Sequence, residues 1–145
     1  MEFSDVIKNR YSCKKFSSEQ IGKDKLDAIL EAGRVAPTAK NLQEQHIYVV
    51  QSESALETID KLTPCRYNAP TVLIVAYNKN NVFTYLGDKR NSGIEDATIV
   101  ATHLMLAAYN EGVDSCWINF FNPDELAKAF NLPEDEEILM LLDLG

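Results

Sequence analysis

Three side chains suited to binding anions stand at alternate positions near the start of the chain, in the segment RYSCKKF (residues 10–16). If this segment is extended, its side-chain period of two places Arg10, Ser12 and Lys14 on one face. A guanidinium donates two parallel hydrogen bonds, an ammonium adds a point charge and a hydroxyl adds a short donor, and this combination suits a phosphate group. The same pattern is also typical of a solvated, charged strand end.

A second polar group lies in the segment APTAKNLQEQH (residues 36–46), which carries Thr38, Asn41, Gln43 and Gln45. Amide and hydroxyl groups offer both donors and acceptors, as the imide edge of a planar heterocycle does. Asn and Thr are equally used to satisfy the backbone of ordinary turns, so this segment alone supports either a binding loop or a structural turn.

The only tryptophan, Trp117, lies in the apolar segment SCWINFF (residues 115–121). Such a segment can form an apolar wall for a flat cofactor, or it can simply be core. The two histidines, His46 and His103, are isolated and are interpreted as structural residues. No catalytic residue and no metal ligand is predicted, and G-x-S-x-G, G-x-G-x-x-G and P-loop motifs are absent from the sequence.

Charge is unevenly distributed along an acidic chain whose formal net charge is -8. Residues 1–25 carry six Lys or Arg against four acids, whereas residues 122–145 carry seven acids against Lys128 alone. A protein that binds duplex nucleic acid needs a wide basic face, which this composition does not provide. The basic end of the chain therefore suits one small anion.

Length and composition predict one folded domain spanning residues 1–145, because 145 residues bury a core of ordinary size and 46% of them are hydrophobic. No segment approaches the roughly 20 apolar residues that cross a bilayer, and the first twenty residues contain no apolar run. Three widely spaced cysteines, Cys13, Cys65 and Cys116, suit a reducing compartment, so a cytoplasmic protein is expected.

The spacing of apolar residues, together with helix-capping and helix-ending residues, predicts the helices. A short helix precedes Arg10, and a second presents Leu26, Ile29, Leu30 and Gly33 on one face before Pro37 ends it. Ser54 and Glu57 form a capping-box pattern that predicts a helix through Leu62. Asn122 followed by Pro123 predicts the start of a helix that runs to Phe130.

Four apolar segments predict strands, at residues 46–50, 71–77, 113–121 and 137–145. The second, TVLIVAY, is apolar on both faces, which indicates a sheet covered on both sides. We therefore expect an α+β domain with helices on both faces of a central sheet.

Residues 92–111 predict one long helix that is apolar almost all round and ends at Gly112. A helix of this kind cannot hide every face against one sheet in a small domain. We therefore expect two such helices to pair in a homodimer, with Leu104 and then Leu106 as the best candidates for the pairing surface.

Taken together, the three segments resemble the nitroreductase family of FMN-dependent oxidoreductases. Its first signature, Arg-x-Ser-x-(Arg/Lys)-x-Phe, is matched by Arg10, Ser12, Lys14 and Phe16. Its second, Ala-Pro-(Ser/Thr)-x-x-Asn-x-Gln, is matched from Ala36 to Gln43. The long apolar helix, the tryptophan-bearing strand and the segment FNLPEDEEILMLLDLG extend the resemblance over nearly the whole chain.

The resemblance implies a layered α/β/α fold with a mostly antiparallel sheet, FMN as cofactor and FMN sites at the interface of a homodimer. NADH or NADPH would reduce the flavin, and a nitroaromatic, quinone or similar electron-poor small molecule would reoxidise it in a ping-pong cycle. It also implies the cofactor-binding residues: Arg10, Tyr11, Ser12 and Lys14 on the phosphate side; Pro37, Thr38, Ala39, Asn41 and Gln43 from the partner subunit over the isoalloxazine; and Ile118, Asn119 and Phe120 near the flavin ring. No nucleic-acid or membrane partner is implied.

Two other functions remain open for such a sequence: a flavin-binding protein without turnover, for storage or regulation, and a different flavin reduction such as dehalogenation or enone reduction. Three features depart from the family pattern. Glu44 and Gln45 replace a common Pro-Trp pair, from which we expect a more polar acceptor rim. Tyr11 replaces a frequent basic residue, and the basic C-terminal arm of the family is expected to be absent after Gly145.

Overall fold

A four-stranded antiparallel sheet forms the middle layer of the computed structural model, which describes all 145 residues. Its strands, listed in chain order, are β1 (Gln45–Val50), β2 (Thr71–Asn78), β3 (Ser115–Ile118) and β4 (Glu136–Leu144). Their spatial order is β1-β2-β4-β3, so β1 and β3 are the two edges. The four predicted strands are confirmed, although β3 is shorter than the apolar segment that predicts it.

Helices cover both faces of this sheet, as expected. They are α1 (Phe3–Asn9), α2 (Lys23–Arg34), α3 (Glu53–Leu62), α4 (Gly93–Asn110) and α5 (Pro123–Ala129), with one 3₁₀ turn at Ala39–Asn41. Helices α2 and α4 cover one core cluster and α3 and α5 the other, on opposite faces of the sheet. None of the helices is both long enough and apolar enough to span a bilayer. The α/β/α layering predicted from sequence is confirmed.

Helix α4 is the central element, since it contacts α1, α2 and all four strands. Its side chains Val100, Leu104 and Ala108 are fully buried against the sheet and α2. The expectation that Leu104 lies on the pairing surface is therefore wrong, because α2 and the sheet already cover it. The helix ends at Gly112, whose φ of 75° is in the left-handed region that glycine adopts most readily. The N–H groups of Gly112 and Val113 donate to the carbonyls of Tyr109 and Ala108, as in a Schellman motif.

The two central strands are buried on both faces, and the edge strand β1 is not. Every residue from Thr71 to Tyr77 is buried, which confirms that this strand is covered on both sides. In β1 only Val50 is fully buried, and Val49 is exposed. The prediction of a buried strand at residues 46–50 is wrong in this respect, because an apolar segment at the edge of a sheet keeps one flank open.

Helix α3 begins two residues before the predicted start. Ser52 is the N-cap, and its hydroxyl accepts a hydrogen bond from the N–H of Ala55 at 3.3 Å. The capping box predicted from Ser54 and Glu57 is therefore wrong, because the chain has two candidate capping serines and the earlier one is used. The predicted end at Leu62 is confirmed.

Helix α5 offers a direct test of capping. The side-chain oxygen of Asn122 accepts from the N–H groups of Asp124 and Glu125 at 3.0 and 3.2 Å, as the Asn-Pro signature predicts. Asn122→Ala is expected to lower the free energy of unfolding by about 1 kcal/mol, because it removes both contacts. Urea unfolding measures this loss, with Asn122→Asp as the control that keeps an acceptor. Equal stability of the alanine variant and the parent would contradict the capping role.

Candidate functional site

The basic segment is extended and runs beside the edge strand β3. Ser12 forms a parallel bridge with Ser115, and the N–H of Cys13 donates to the Ser115 carbonyl at 2.9 Å. Cys13 and Phe16 are buried in the core, whereas Ser12 and Lys14 are exposed. Ser12 and Lys14 therefore share the outer face as predicted, but the alternation does not continue, because Lys15 is exposed and Phe16 is buried.

A cavity of about 360 Å³ opens beside this segment. It brings Ser12 and Lys14 together with Ile118, Asn119 and Phe120, which leave the end of β3. Its remaining lining residues are Cys65, Tyr67, Cys116 and Trp117. One wall is therefore cationic and hydroxyl-bearing, and the opposite wall is aromatic and apolar.

The sequence did not single out Cys65 or Tyr67 as part of a site. Both lie in the irregular connection between α3 and β2, where no local pattern marks them. The Tyr67 carbonyl accepts from the N–H of Phe16 at 3.1 Å, which ties this connection to the basic segment. The side-chain amide of Asn68 also donates to the Phe16 carbonyl at 3.3 Å, and such long-range contacts bring Cys65 and Tyr67 to the cavity.

Arg10 stands next to the cavity with unused hydrogen-bonding capacity. Its Nη2 donates to the Ser12 hydroxyl oxygen at 3.5 Å, and its Nε is buried without a partner. A buried donor without an acceptor is unfavourable, and a charged one more so. An anion at this position would supply the missing acceptor, so the residues present fit a phosphate-bearing group.

Tyr11 faces away from this cavity. Its hydroxyl donates to Asp114 Oδ2 at 2.9 Å, and this hydrogen bond, followed by the charge of Asp114, raises the pKa of the phenol to about 12. The phenol is therefore already engaged on the other face of the extended segment.

The second predicted group forms a tight loop between α2 and β1, which we call the 37–43 loop. Within it the Thr38 carbonyl accepts from the Asn41 N–H at 2.9 Å, and the Thr38 hydroxyl accepts from the Gln43 N–H at 3.0 Å. The N–H of Ala39 donates to Asp96 of α4 at 2.9 Å. Pro37, Asn41 and Gln43 are exposed, and Thr38 and Ala39 are half-buried.

The 37–43 loop and the cavity lie at opposite edges of the sheet. The loop leads into β1, and the cavity is built on β3, with two strands between them. Strands about 4.8 Å apart place these edges roughly 14 Å from each other. No residue of the 37–43 loop lines the cavity of its own chain.

The expectation that Glu44 contributes to a polar rim is wrong, because Glu44 is buried. Glu44 is 2% exposed, and Gln45 is half-buried with its amide donating to the Gly33 carbonyl at 3.2 Å. Gln45 satisfies a carbonyl in the last turn of α2, where intrahelical donors run out. Gln43, immediately before Glu44, adopts a positive φ of 50°.

The histidines occupy structural positions. His103 Nδ1 lies 3.2 Å from the Ala32 carbonyl, and His46 Nδ1 lies 3.2 Å from the buried carboxylate of Glu136. Neither belongs to the cavity lining.

Comparisons with known proteins identify relatives from one family. The model of the nitroreductase family matches residues 7–66 and 63–145. A crystal structure of a nitroreductase family protein from Clostridium difficile 630 superposes with a TM-score of 0.96 at 34% identity, over 100% of this chain and 84% of that chain. The Bacillus subtilis protein YodC, which carries the name of an NAD(P)H nitroreductase, is 28% identical over 97% of this chain and 87% of its own length.

One further structure shows the same fold with a ligand. It is a nitroreductase from Exiguobacterium sibiricum 255-15 in complex with FMN, with a TM-score of 0.87, over 100% of this chain and 88% of that chain. At 21% identity the likeness establishes the shared fold.

Proposed function

The chain belongs to the nitroreductase family, and from this premise we propose that it is an FMN-dependent oxidoreductase that takes electrons from NADH or NADPH. The proposed acceptor is a nitroaromatic, a quinone or a similar electron-poor small molecule. Residues 1–145 would act as one FMN-binding domain. The observation that carries the proposal is the cavity in which Ser12 and Lys14 face the aromatic end of β3, beside the unpaired Nε of Arg10.

Arg10, Ser12 and Lys14 are proposed to hold the phosphate end of FMN. Arg10 has a buried donor without an acceptor, and Lys14 forms no ion pair within the chain. Charge-assisted hydrogen bonds to a phosphate are among the strongest that proteins make. The extended backbone fixes these side chains on one face, because Ser12 is bridged to β3.

The segment 118–120 is proposed to lie beside the flavin ring. The indole N–H of Trp117 donates to Asn119 Oδ1 at 2.9 Å, and the N–H of Phe121 donates to the Asn119 carbonyl at 2.9 Å. These contacts fix the segment where it leaves β3. Phe120 is 72% exposed and offers an apolar surface to a planar group.

Bound flavin would supply the redox chemistry, and the protein would supply binding, orientation and electrostatics. No side chain in the cavity lining is needed as an acid or base for this role. Phe120 in the cavity lining is exposed to solvent, and we propose that donor and acceptor use this one surface in turn, as in a ping-pong mechanism.

A homodimer is proposed to complete each site. The 37–43 loop lies at the sheet edge opposite the cavity and does not line it, which supports its placement over the flavin of another subunit. Helices α1 and α4 also leave apolar side chains in solvent, including Phe3, Ile7 and Ile99. Extended apolar surfaces of this kind usually mark interfaces.

Arg10→Ala tests the phosphate assignment. We expect it to weaken FMN binding by about 2 kcal/mol, roughly thirtyfold, because it removes a forked, charge-assisted contact. Riboflavin binding should change little, since riboflavin has no phosphate. Fluorescence titration of apoprotein with both ligands measures the difference. Lys15→Ala is the matched control, because Lys15 is an exposed cation of the same segment and, unlike Arg10, has no hydrogen bond to the lining residue Ser12.

Equal losses for FMN and riboflavin would overturn the assignment of Arg10 to the phosphate. Oxidation of NADH or NADPH by the flavin-loaded protein with a quinone distinguishes an enzyme from a flavin-binding protein without turnover. A protein that binds FMN with full occupancy and never consumes the nicotinamide would contradict the proposed activity.

A further inference from the structure

Two carboxyl groups are buried together beneath the 37–43 loop. Glu44 follows the loop directly and is 2% exposed, and Asp96 in the first turns of α4 is 3% exposed. Both oxygens of Glu44 and the Oδ2 of Asp96 are buried without a donor from the rest of the protein. Asp96 is one of the groups that raise the pKa of Glu44, after burial, through a hydrogen bond and through its charge, so the two carboxyl groups are neighbours. Two neighbouring carboxylates cannot both be ionised cheaply, whereas one proton between them satisfies an oxygen on each.

The loop that this pair supports is strained. Lys40, Asn41 and Gln43 have φ values of 55°, 53° and 50°, in the left-handed region that L-residues other than Asn and Asp rarely adopt. Such a conformation persists only when its surroundings hold it. The one side chain from outside the loop that accepts a loop N–H is Asp96, through its Oδ1 to Ala39 at 2.9 Å.

We propose that Glu44 is a positioning residue that shares one proton with Asp96 and thereby holds the 37–43 loop in the conformation that covers the partner subunit's flavin. This inference rests on the proposed function for the position of the flavin. The shared proton lets Asp96 keep Oδ1 toward Ala39 while Oδ2 is satisfied by Glu44. Ionisation of both groups would favour exposure of Glu44, which the strained loop can provide by opening.

The surrounding charges agree with this assignment. Burial, followed by a hydrogen bond with Asp96, raises the pKa of Glu44 to about 7, and no cation contributes to it. From β2 the phenol of Tyr77 faces the pair, and its pKa is raised by burial, then by Glu137 of β4 and also by Glu44. Lys40, the cation of the loop, is exposed.

Protonation of Glu44 and closure of the 37–43 loop are linked equilibria, which sets the direction of the pH effect on the loop. The closed loop binds the Glu44 proton more tightly than an open loop would, so its advantage is complete below the ordinary carboxyl pKa and is lost as pH rises through about 7. We expect the FMN dissociation constant to rise about tenfold between about pH 6 and pH 8.5. Amide exchange at Ala39 in the apoprotein, corrected for its intrinsic pH dependence, should accelerate by a similar factor.

The Glu44→Gln variant distinguishes a role of Glu44 in sharing a proton from a role in packing alone. The glutamine amide donates to Asp96 at every pH, so both profiles should become flat while affinity at low pH is retained. Asp96→Asn is the second variant, since its amide can donate to an ionised Glu44 and should also flatten the profiles. Both variants are made in an Asp143→Asn background. This substitution removes another buried carboxyl group, whose pKa of about 8 is close to that of Glu44.

Each outcome bears on one part of the inference. A pH-independent Ala39 exchange in the parent, or unchanged slopes in both variants, would overturn the shared proton. Exchange that depends on pH while FMN affinity does not would overturn the link from this loop to the flavin. That second result would count against the loop placement in the proposed function and leave the phosphate test with Arg10 unaffected.

Discussion

Replacing Leu104 by glutamate is expected to abolish folding, whereas the same replacement at Leu106 is expected to yield a folded monomer. Leu104 is 0% exposed, and a Cβ built on Gly33 of α2 would lie only 2.7 Å from its Cδ2. This close packing leaves no room or solvent for a carboxylate. The free-energy cost of burying an unpaired charge exceeds about 4 kcal/mol, which is a large part of the free energy of unfolding of a domain.

Leu106 lies on the outer side of the same helix. With Met1, Phe3 and His103 it lines an apolar groove of about 380 Å³ between α1 and α4. If this groove is part of the proposed dimer interface, Leu106→Glu places a charge in the interface without touching the core. The variant should retain its circular dichroism and cooperative unfolding, sediment as a monomer at low micromolar concentration, and bind FMN weakly.

Leu86→Glu is the matched control, because Leu86 is 98% exposed in the connection before α4. It should remain dimeric and bind FMN like the parent. A folded Leu104→Glu protein would contradict the core assignment. A Leu106→Glu protein that stays dimeric with full flavin would argue against an interface at this groove.

Asp143→Asn is expected to stabilise the protein at alkaline pH and to have little effect at acidic pH. Asp143 lies on β4 and is 1% exposed, with both carboxylate oxygens unpaired. Burial raises its pKa to about 8, although Arg66 partly opposes this. Arg66 cannot neutralise it fully, because its guanidinium is engaged by both oxygens of Asp60 and by the Ala69 carbonyl.

The sign follows from the two protonation states. The unfolded chain releases this proton near pH 4, whereas the folded protein keeps it until about pH 8. The contribution of Asp143 to the free energy of unfolding is therefore largest below about pH 4, falls as pH rises, and is smallest above about pH 8. Asparagine stands in for the neutral acid, so the variant should gain on the order of 5 kcal/mol relative to the parent at about pH 9 compared with about pH 4.

Urea unfolding of both proteins across this pH range measures the gain. Asp88→Asn is the control, since Asp88 is exposed and its φ of 53° is one that asparagine also tolerates. Parallel stability profiles for Asp143→Asn and the parent would mean that Asp143 does not titrate as a buried group.

Local pattern was sufficient to predict most of the secondary structure and the family. The strand from Thr71 to Tyr77, the helix ending at Gly112 and the cap at Asn122 follow from period, glycine conformation and side-chain acceptors, all of which act within a few residues. The alternation around Ser12 likewise followed from the period of an extended chain. Such features can be predicted from the sequence because the interactions that form them join residues only a few positions apart.

Tertiary structure decided which apolar face is core and which carboxylates are buried. Leu104 and Leu106 look alike in sequence, and only the position of α2 and the sheet separates them. Glu44 was expected at a polar rim, but it is buried near Asp96, which is more than fifty positions away in the sequence. The order β1-β2-β4-β3 separates the 37–43 loop from the cavity, because strand order is set by long-range pairing that no local pattern encodes.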